Sequence, residues 1–227
     1  MKIKELIVLL LIVISFKLYA QNNYIGIYSG INLSKIDRDN LAFKDPSAII
    51  SYAGGLSFEH GFKRHFLFNT GISYNRFGFK QQFDFTDNFG NPVGKSQLYF
   101  YYDYLSVPIT MGYKIGDKMF VSINAGLNTS YLIDAKHVLE IPSNLYPYNG
   151  GSAETTNFTS SINRLDLGGI VTIGCGIKLI TRYVINSDVS YRQSFSSISN
   201  SKYFPYDEIK NYGFSLSIGL KYAISKE

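Results

Sequence analysis

What the chain lacks narrows its chemistry first. It has one cysteine, Cys175, so an internal disulfide and a cysteine-based zinc site are both excluded. Its three histidines are His60, His65 and His137. His60 and His65 flank a short turn. His137 has Asp134 and Glu140 nearby, but that spacing matches no hydrolase or metal-binding pattern. No glycine-rich phosphate loop is present; Gly168, Gly169, Gly174 and Gly176 sit in an alternating strand pattern instead. The net charge is only +5, and no basic run interleaved with aromatics marks a nucleic-acid surface. Tryptophan is absent. Long apolar runs are missing too, except at the start.

That one run has the form of a secretory signal. Met1 to Lys4 is a short basic region, and Leu6 to Phe16 is an apolar core of about eleven residues, too short to span a membrane as a helix. Leu18-Tyr19-Ala20 then resembles a cleavage site. The expectation is a cleaved signal peptide over 1–20 and one domain over 21–227, starting at Gln21. No cysteine follows the cut, so a lipoprotein anchor is not expected.

What the chain has in abundance is tyrosine (19), phenylalanine (17) and glycine (20), arranged in alternation. The stretch Asn211–Tyr222 shows the rule. Tyr212, Phe214, Leu216, Ile218, Leu220 and Tyr222 fall on one face of a strand; Gly213, Ser215, Ser217, Gly219 and Lys221 fall on the other. Seven earlier segments repeat it, at about Tyr24–Leu33, Ala48–His60, His65–Phe79, Leu98–Ile115, Met119–Ile133, Arg164–Leu179 and Tyr183–Phe195. Each stripe has at least the roughly 9–11 residues that a tilted strand needs to cross a bilayer. Short turns (61–64, 116–118, 180–182) alternate with long polar stretches (34–47, 80–97, 134–163, 196–210). An outer-membrane barrel has that rhythm, with long loops extracellular and, for an even strand number, both termini periplasmic.

Alternation alone does not say which face is outside. A soluble barrel would carry many Lys, Glu and Thr on its polar face. Here that face is Gly, Ser and Asn with isolated charges, which is what the narrow inside of eight strands holds. Aromatics mark both ends of the apolar stripes: Phe66, Tyr113, Tyr183 and Tyr222 at the turn side, and Tyr74, Tyr131, Tyr191 and Tyr212 at the loop side. Since an open sheet edge cannot lie in hydrocarbon, the sheet must close. The expected fold is all-β, a closed eight-stranded antiparallel up-and-down transmembrane β-barrel. Cys175 then faces lipid as a small apolar residue.

The fourth segment carries Tyr104-Leu-Ser-Val-Pro-Ile-Thr-Met-Gly-Tyr113. It resembles the strand motif Y-L-x-I-P-L-x-x-K-Y of the PorT-like outer-membrane β-barrel family, through Tyr104, Leu105, Val107, Pro108, Ile109 and Tyr113. Val107 stands where Ile is usual, and Gly112 where Lys is common. The resemblance implies a structural or accessory envelope protein, assisting secretion or assembly as the family's namesake does. Pro108 removes a ladder hydrogen bond in a central strand, so a local bulge or bend is expected there.

Inward charges form two expected layers. Glu59, Lys114, Lys178 and Lys221 lie near the turns; Arg164, Asp166, Asp188 and Arg192 lie higher. The plain reading is an internal salt-bridge network that plugs a narrow barrel, with Asp166 and Arg192 paired; the competing reading is a gated ion path. Arg76 and Asp103 fall on the apolar parity. An arginine at mid-membrane costs about 2–4 kcal/mol, so this cross-strand pair is placed above the bilayer. Among the loops, Tyr146, Pro147 and Tyr148 form a contact patch for a protein or glycan, or an ordinary surface loop. No cofactor, metal or catalysis is expected. Expected partners are outer-membrane lipids and an envelope protein or complex, with the barrel itself monomeric. The alternative function is an adhesin-like module acting through its loops; a small channel and a lipid or peptide hydrolase stand behind it.

Overall fold

The structure is a computed structural model that describes residues 23–38, 46–62, 65–86, 89–141, 152–180, 182–200 and 208–224. The expected signal peptide and the Tyr146–Pro147–Tyr148 patch lie outside the described residues.

The described chain forms nine strands: β1 (Asn23–Arg38), β2 (Ser47–Phe62), β3 (Phe66–Thr86), β4 (Pro92–Ile115), β5 (Met119–Ile141), β6 (Ser152–Asn157), β7 (Leu165–Ile180), β8 (Tyr183–Ser194) and β9 (Ile209–Ala223). Eight of them close a ring in the order β4-β3-β2-β1-β9-β8-β7-β5, with β5 pairing back onto β4. Every pairing is antiparallel. Strand β6 is an addition to that ring. It pairs only with the upper end of β5, from Lys136↔Asn157 to Ile141↔Ser152, inside a stretch that reads as loop from the sequence.

The alternating stripes point outward through the middle of the barrel. Ile27, Val107, Ile123, Ile173, Leu216 and Ile218 are all exposed on its outside, Ile218 at 66%. Their neighbours Asn32, Ser106, Asn128 and Ser130 are buried inside. Apolar side chains facing out along every strand, with small polar ones within, is the arrangement that hydrocarbon surroundings demand. Neighbouring strands approach closely on this inner face: a Cβ added at Gly30 would overlap the Leu216 carbonyl oxygen and Ser217 Cα of β9.

Aromatic pairs stand at both ends of this band. Phe66 and Tyr113 meet edge to face at 5.4 Å, as do Tyr183 and Tyr222 at 5.3 Å, on the turn side. Tyr52 stacks on Tyr74 at 5.5 Å, and Tyr191 lies 5.0 Å from Phe214, on the loop side.

Beyond the loop-side tyrosines the sidedness inverts. Strands β3, β4 and β5 continue past them, and now the inward residues are apolar. Phe77, Phe79, Tyr102, Tyr104, Leu132 and Ala135 pack with Ile36, Ile162 and Ile198 into one buried cluster. Outward positions at this height hold Arg76, Lys80, Asp103 and Lys136. One irregularity helps. Asp103 faces Asp134 but Tyr104 faces Leu132, so Ile133 is an extra residue on β5. The bulge lets Leu132 and Ala135, three apart, both enter the cluster.

Pro108 does not produce the expected bulge. The β3–β4 register is the same on either side of it, Thr70↔Ile109 and Ser73↔Ser106, and only the pairs between them drop out. On its other side Pro108 still pairs with Asn128 of β5. The missing N–H costs the ladder locally, while a closed ring holds β4 in register from both neighbours. The shift on this side of the barrel lies instead in β2, between Ala48 and Ala53. There Ser34 of β1 reaches over to β3: its Oγ accepts from Gly78 N at 2.9 Å and donates to Gly78 O at 3.1 Å.

Candidate functional site

Two places gather polar side chains: the lumen, and the outer face of the upper sheet. At the turn side the lumen is floored by a buried apolar layer of Tyr24, Phe120, Val184 and Ala223. Lys114 Nζ lies 5.8 Å from the Tyr24 ring and 5.1 Å from the Phe120 ring, a distance at which a ring face attracts a cation. Glu59 sits between two lysines. Its Oε2 is 2.6 Å from Lys221 Nζ and its Oε1 is 3.9 Å from Lys114 Nζ. Lys178 is half-exposed on the same side of the barrel, and among the described residues no carboxylate lies within ion-pair distance of it.

Above this layer is a cavity of about 140 Å³ lined by Asn69, Thr110, Asn124, Thr172, Asn186 and Asp188, among others. Its lining is satisfied in part: Asn69 Nδ2 donates to Asn124 Oδ1 at 2.8 Å, and Asn186 Nδ2 to Asp188 Oδ2 at 2.5 Å, while the buried Asn186 Oδ1 has no hydrogen-bond partner among the described residues.

Higher in the lumen stand Asp166 and Arg192, paired with each other. Asp166 is fully buried. Its Oδ2 accepts from Arg192 Nη2 at 2.5 Å and Ser194 Oγ at 2.9 Å, and its Oδ1 from Ser196 Oγ at 3.0 Å. The guanidinium carbon of Arg192 lies 4.6 Å from the Phe77 ring centre and 5.7 Å from that of Tyr104. Tyr104 OH in turn accepts from Asn211 Nδ2 of β9 at 3.1 Å. Buried charges are costly unless paired and hydrogen-bonded. Asp166 accepts from three donors, whereas Arg192 spends only Nη2 on it. Among the described residues the buried Nε and Nη1 of Arg192 have no hydrogen-bond partner, and the guanidinium lies against the Phe77 and Tyr104 rings. Beyond Tyr104, the fourth-strand motif divides by parity. Leu105, Val107, Ile109 and Tyr113 are exposed on the barrel's outside, and Pro108 is half-buried within.

Arg164 is not part of the lumen. It lies on the outside, exposed, with its guanidinium carbon 5.9 Å from the ring of lipid-facing Tyr131. It precedes the first paired residue of β7, Leu165, so strand parity does not dictate its direction, and a ring face in reach of water is a cheaper place for a cation than the barrel interior.

On the outer face of the upper sheet, Arg76 and Asp103 are register partners across β3 and β4. They form a bidentate pair, Nε to Oδ1 at 2.6 Å and Nη2 to Oδ2 at 2.7 Å. Arg76 also lies 4.9 Å from the Tyr52 ring and 5.3 Å from that of Tyr101. Tyr101 stacks on Tyr99 with ring centres 6.1 Å apart and planes 3° from parallel, and Tyr99 OH donates to Gln97 Oε1 at 2.6 Å. Burial pushes the Tyr101 hydroxyl above its usual value, Tyr99 adds to the rise, and Arg76 opposes it. On β5, Lys136 reaches Asp134 at 3.9 Å, and Asp134 Oδ1 accepts from Asn157 Nδ2 at 2.5 Å.

His137 points the other way, into the aromatic cluster, 5.8 Å from Phe100 and 5.7 Å from Phe158. Among the described residues it has no hydrogen-bonded Ser or Asp, and no group of His, Cys, Asp and Glu has the arrangement of a metal site. The residues not anticipated from the sequence are Phe77, Tyr99, Tyr101 and Asn211. For Phe77 a signal existed: it falls on the inward parity of β3, where the stripe below is polar.

Several solved barrels are similar to this chain in fold. Neisserial surface protein A shares 10% identity over 88% of this chain and 96% of its own, with a TM-score of 0.43. The attachment invasion locus protein Ail of Yersinia pestis shares 12% over 88% and 99%, with a TM-score of 0.41. OprG of Pseudomonas aeruginosa shares 12% over 90% and 97%, with a TM-score of 0.45. No curated protein matches. The model of one family, described as the outer membrane protein beta-barrel domain, matches residues 19–200. The chain, with its lipid-facing stripes and closed ring of strands, belongs to the outer membrane protein beta-barrel domain family.

Proposed function

We propose that the protein is a non-conducting outer-membrane barrel with a structural or accessory role in the envelope, presenting a rigid sheet above the membrane to another envelope protein. The observation that carries this reading is the length of β3, β4 and β5, of 21, 24 and 23 residues. Each is about twice what a tilted strand needs to cross the bilayer. The surplus is ordered sheet with an apolar core of its own, displaying Tyr99, Tyr101, Arg76 and Lys136 on its outer face. A barrel that served only as an anchor would need none of it.

Support for the absence of conduction is the stacking of the lumen: an apolar floor, an ion-paired layer, a small cavity, and the Asp166–Arg192 pair under Phe77 and Tyr104. The resemblance of Tyr104–Tyr113 to the PorT-like motif supports placing the accessory role in secretion or assembly. In this reading residues 1–20 are removed on export, both termini face the periplasm, and the upper sheet is extracellular.

Isolation from mild detergent tests the proposal. A stoichiometric envelope partner that is lost in a Tyr99→Ala/Tyr101→Ala variant is expected, with no unitary conductance in planar bilayers. A barrel that purifies alone and binds glycans through its loops would favour the adhesin reading instead, and steady single-channel currents would overturn the closed lumen.

A further inference from the structure

We propose that the outer face of β1, β2 and β9 at the turn side holds one phospholipid, with an acyl chain in a groove between the strands and its phosphate on Arg182. The groove has a volume of about 590 Å³ and is lined by Ile25, Ile27, Leu56, Phe58, Leu220 and Tyr222, among others. These are neighbours across the sheet: Ile25 lies between Phe58 and Tyr222, and Ile27 between Leu56 and Leu220.

Tyr222 borders the groove beside its register partner Ile25. Its ring packs edge to face on Tyr183 of β8 at 5.3 Å, and its hydroxyl accepts from Arg182 Nη1 at 2.9 Å. Both contacts draw it toward β8. The same hydrogen bond fixes a guanidinium at the end of an apolar furrow. Arg182 is exposed, and among the described residues no carboxylate is paired with it. A guanidinium has five donors in a planar fork. With one spent on Tyr222, the others remain for the oxygens of a phosphate, which the fork matches in geometry and charge. The apolar and cationic parts are in the order a glycerophospholipid requires, chain toward the bilayer centre and phosphate at the interface.

The choice of phospholipid over lipopolysaccharide rests on the periplasmic orientation proposed for the turn side. The absence of tryptophan allows a clean test. Tryptophan is placed in the groove (Phe58→Trp), or three strands round the ring from β2 on lipid-facing β5 (Leu127→Trp). Each protein is titrated in dodecyl maltoside with brominated phosphatidylglycerol, which quenches tryptophan on contact. The groove reporter is expected to be half-quenched at about one-fifth of the lipid fraction that Leu127→Trp needs, the increment one cation contributes beside an anionic headgroup. Arg182→Ala should bring the two reporters together, and Arg182→Lys should restore part of the difference. Heat-modifiable electrophoretic mobility verifies that each variant is folded. Equal midpoints, no effect of Arg182→Ala, or more effective displacement by lipopolysaccharide than by unlabelled phosphatidylglycerol would each overturn the proposal. Protease cleavage at 87–91 on intact cells reports orientation separately, so failure of the site and failure of the orientation are distinguishable.

Discussion

The lower and upper halves of this barrel use the same strands and opposite rules. In the lower half, Val107 and Ile109 of β4 face out and Ser106 and Thr110 face in. A few residues up the same strand, Asp103 and Tyr101 face out and Tyr102 and Tyr104 face in. Register changes little between them; the surroundings change. Hydrocarbon around the lower half makes the outside the apolar place, and the inside must satisfy its polar groups by itself. Water around the upper half restores the ordinary order, in which a sheet buries an apolar face against its own core. The changeover is marked by Tyr52, Tyr74 and Tyr131, with Arg76 lying over the Tyr52 ring and Arg164 over that of Tyr131.

That contrast can be broken at several points. The largest effect is expected at the junction of the halves, where Asp166→Ala leaves Arg192 buried without its partner. Loss of one member of a buried pair costs about 3–5 kcal/mol, which denaturant titration in detergent or vesicles would read as a lowered midpoint. Next, Leu132→Ala removes a fully buried side chain from the upper cluster and should cost about 2–5 kcal/mol, as in a soluble core. Leu127→Ala on the lipid face should cost much less, because lipid flows into the space. Equal costs for the two leucines would erase the distinction between halves.

Lysine at Ile173, in the middle of the lipid face, should destabilise by about 2–4 kcal/mol, while lysine at Gln82, outward in the upper sheet, should be close to neutral. A smaller effect than at Asp166 is expected for Arg76→Ala. Its bidentate pair with Asp103 is part-buried, at 19% and 8% for the two side chains, so its loss should cost more than the about 0.2–1 kcal/mol of an exposed pair and less than the about 3–5 kcal/mol of a fully buried one. A double-mutant cycle with Asp103→Asn measures it.

The lower half was legible in the sequence because a bilayer imposes a strict pattern. Two-residue alternation of Leu, Ile and Val with Gly, Ser and Asn has few other physical explanations, and it located all eight ring strands. The upper half was hidden by the same reasoning. Residues 80–97 and 134–163 carry no outward apolar stripe, so they read as loop, yet β3, β4, β5 and β6 run through much of them. Phe77 and Phe79 fall on a parity that is polar below, and only the change of surroundings makes them core. Pro108 showed a different limit. A residue that breaks a ladder suggests a bulge, but closure of the ring keeps β4 in step. Irregularities stand instead in β2 between Ala48 and Ala53 and in β5 at Ile133, where no residue type announces them. Arg164 stands one residue before the first pair of β7, where strand parity no longer fixes a side chain's direction.

Spin-label accessibility along β4 tests the inversion most directly. In a Cys175→Ser background, single labels are placed from Tyr99 to Ile109 and relaxation by oxygen, which concentrates in hydrocarbon, is compared with relaxation by a water-soluble nickel complex. Labels at Leu105, Val107 and Ile109 should be reached by oxygen, and those at Tyr99 and Tyr101 by nickel, with Tyr104 and Ser106 shielded from both. Oxygen access that alternates unchanged through Tyr101 and Tyr99, or nickel reaching Val107, would contradict the account.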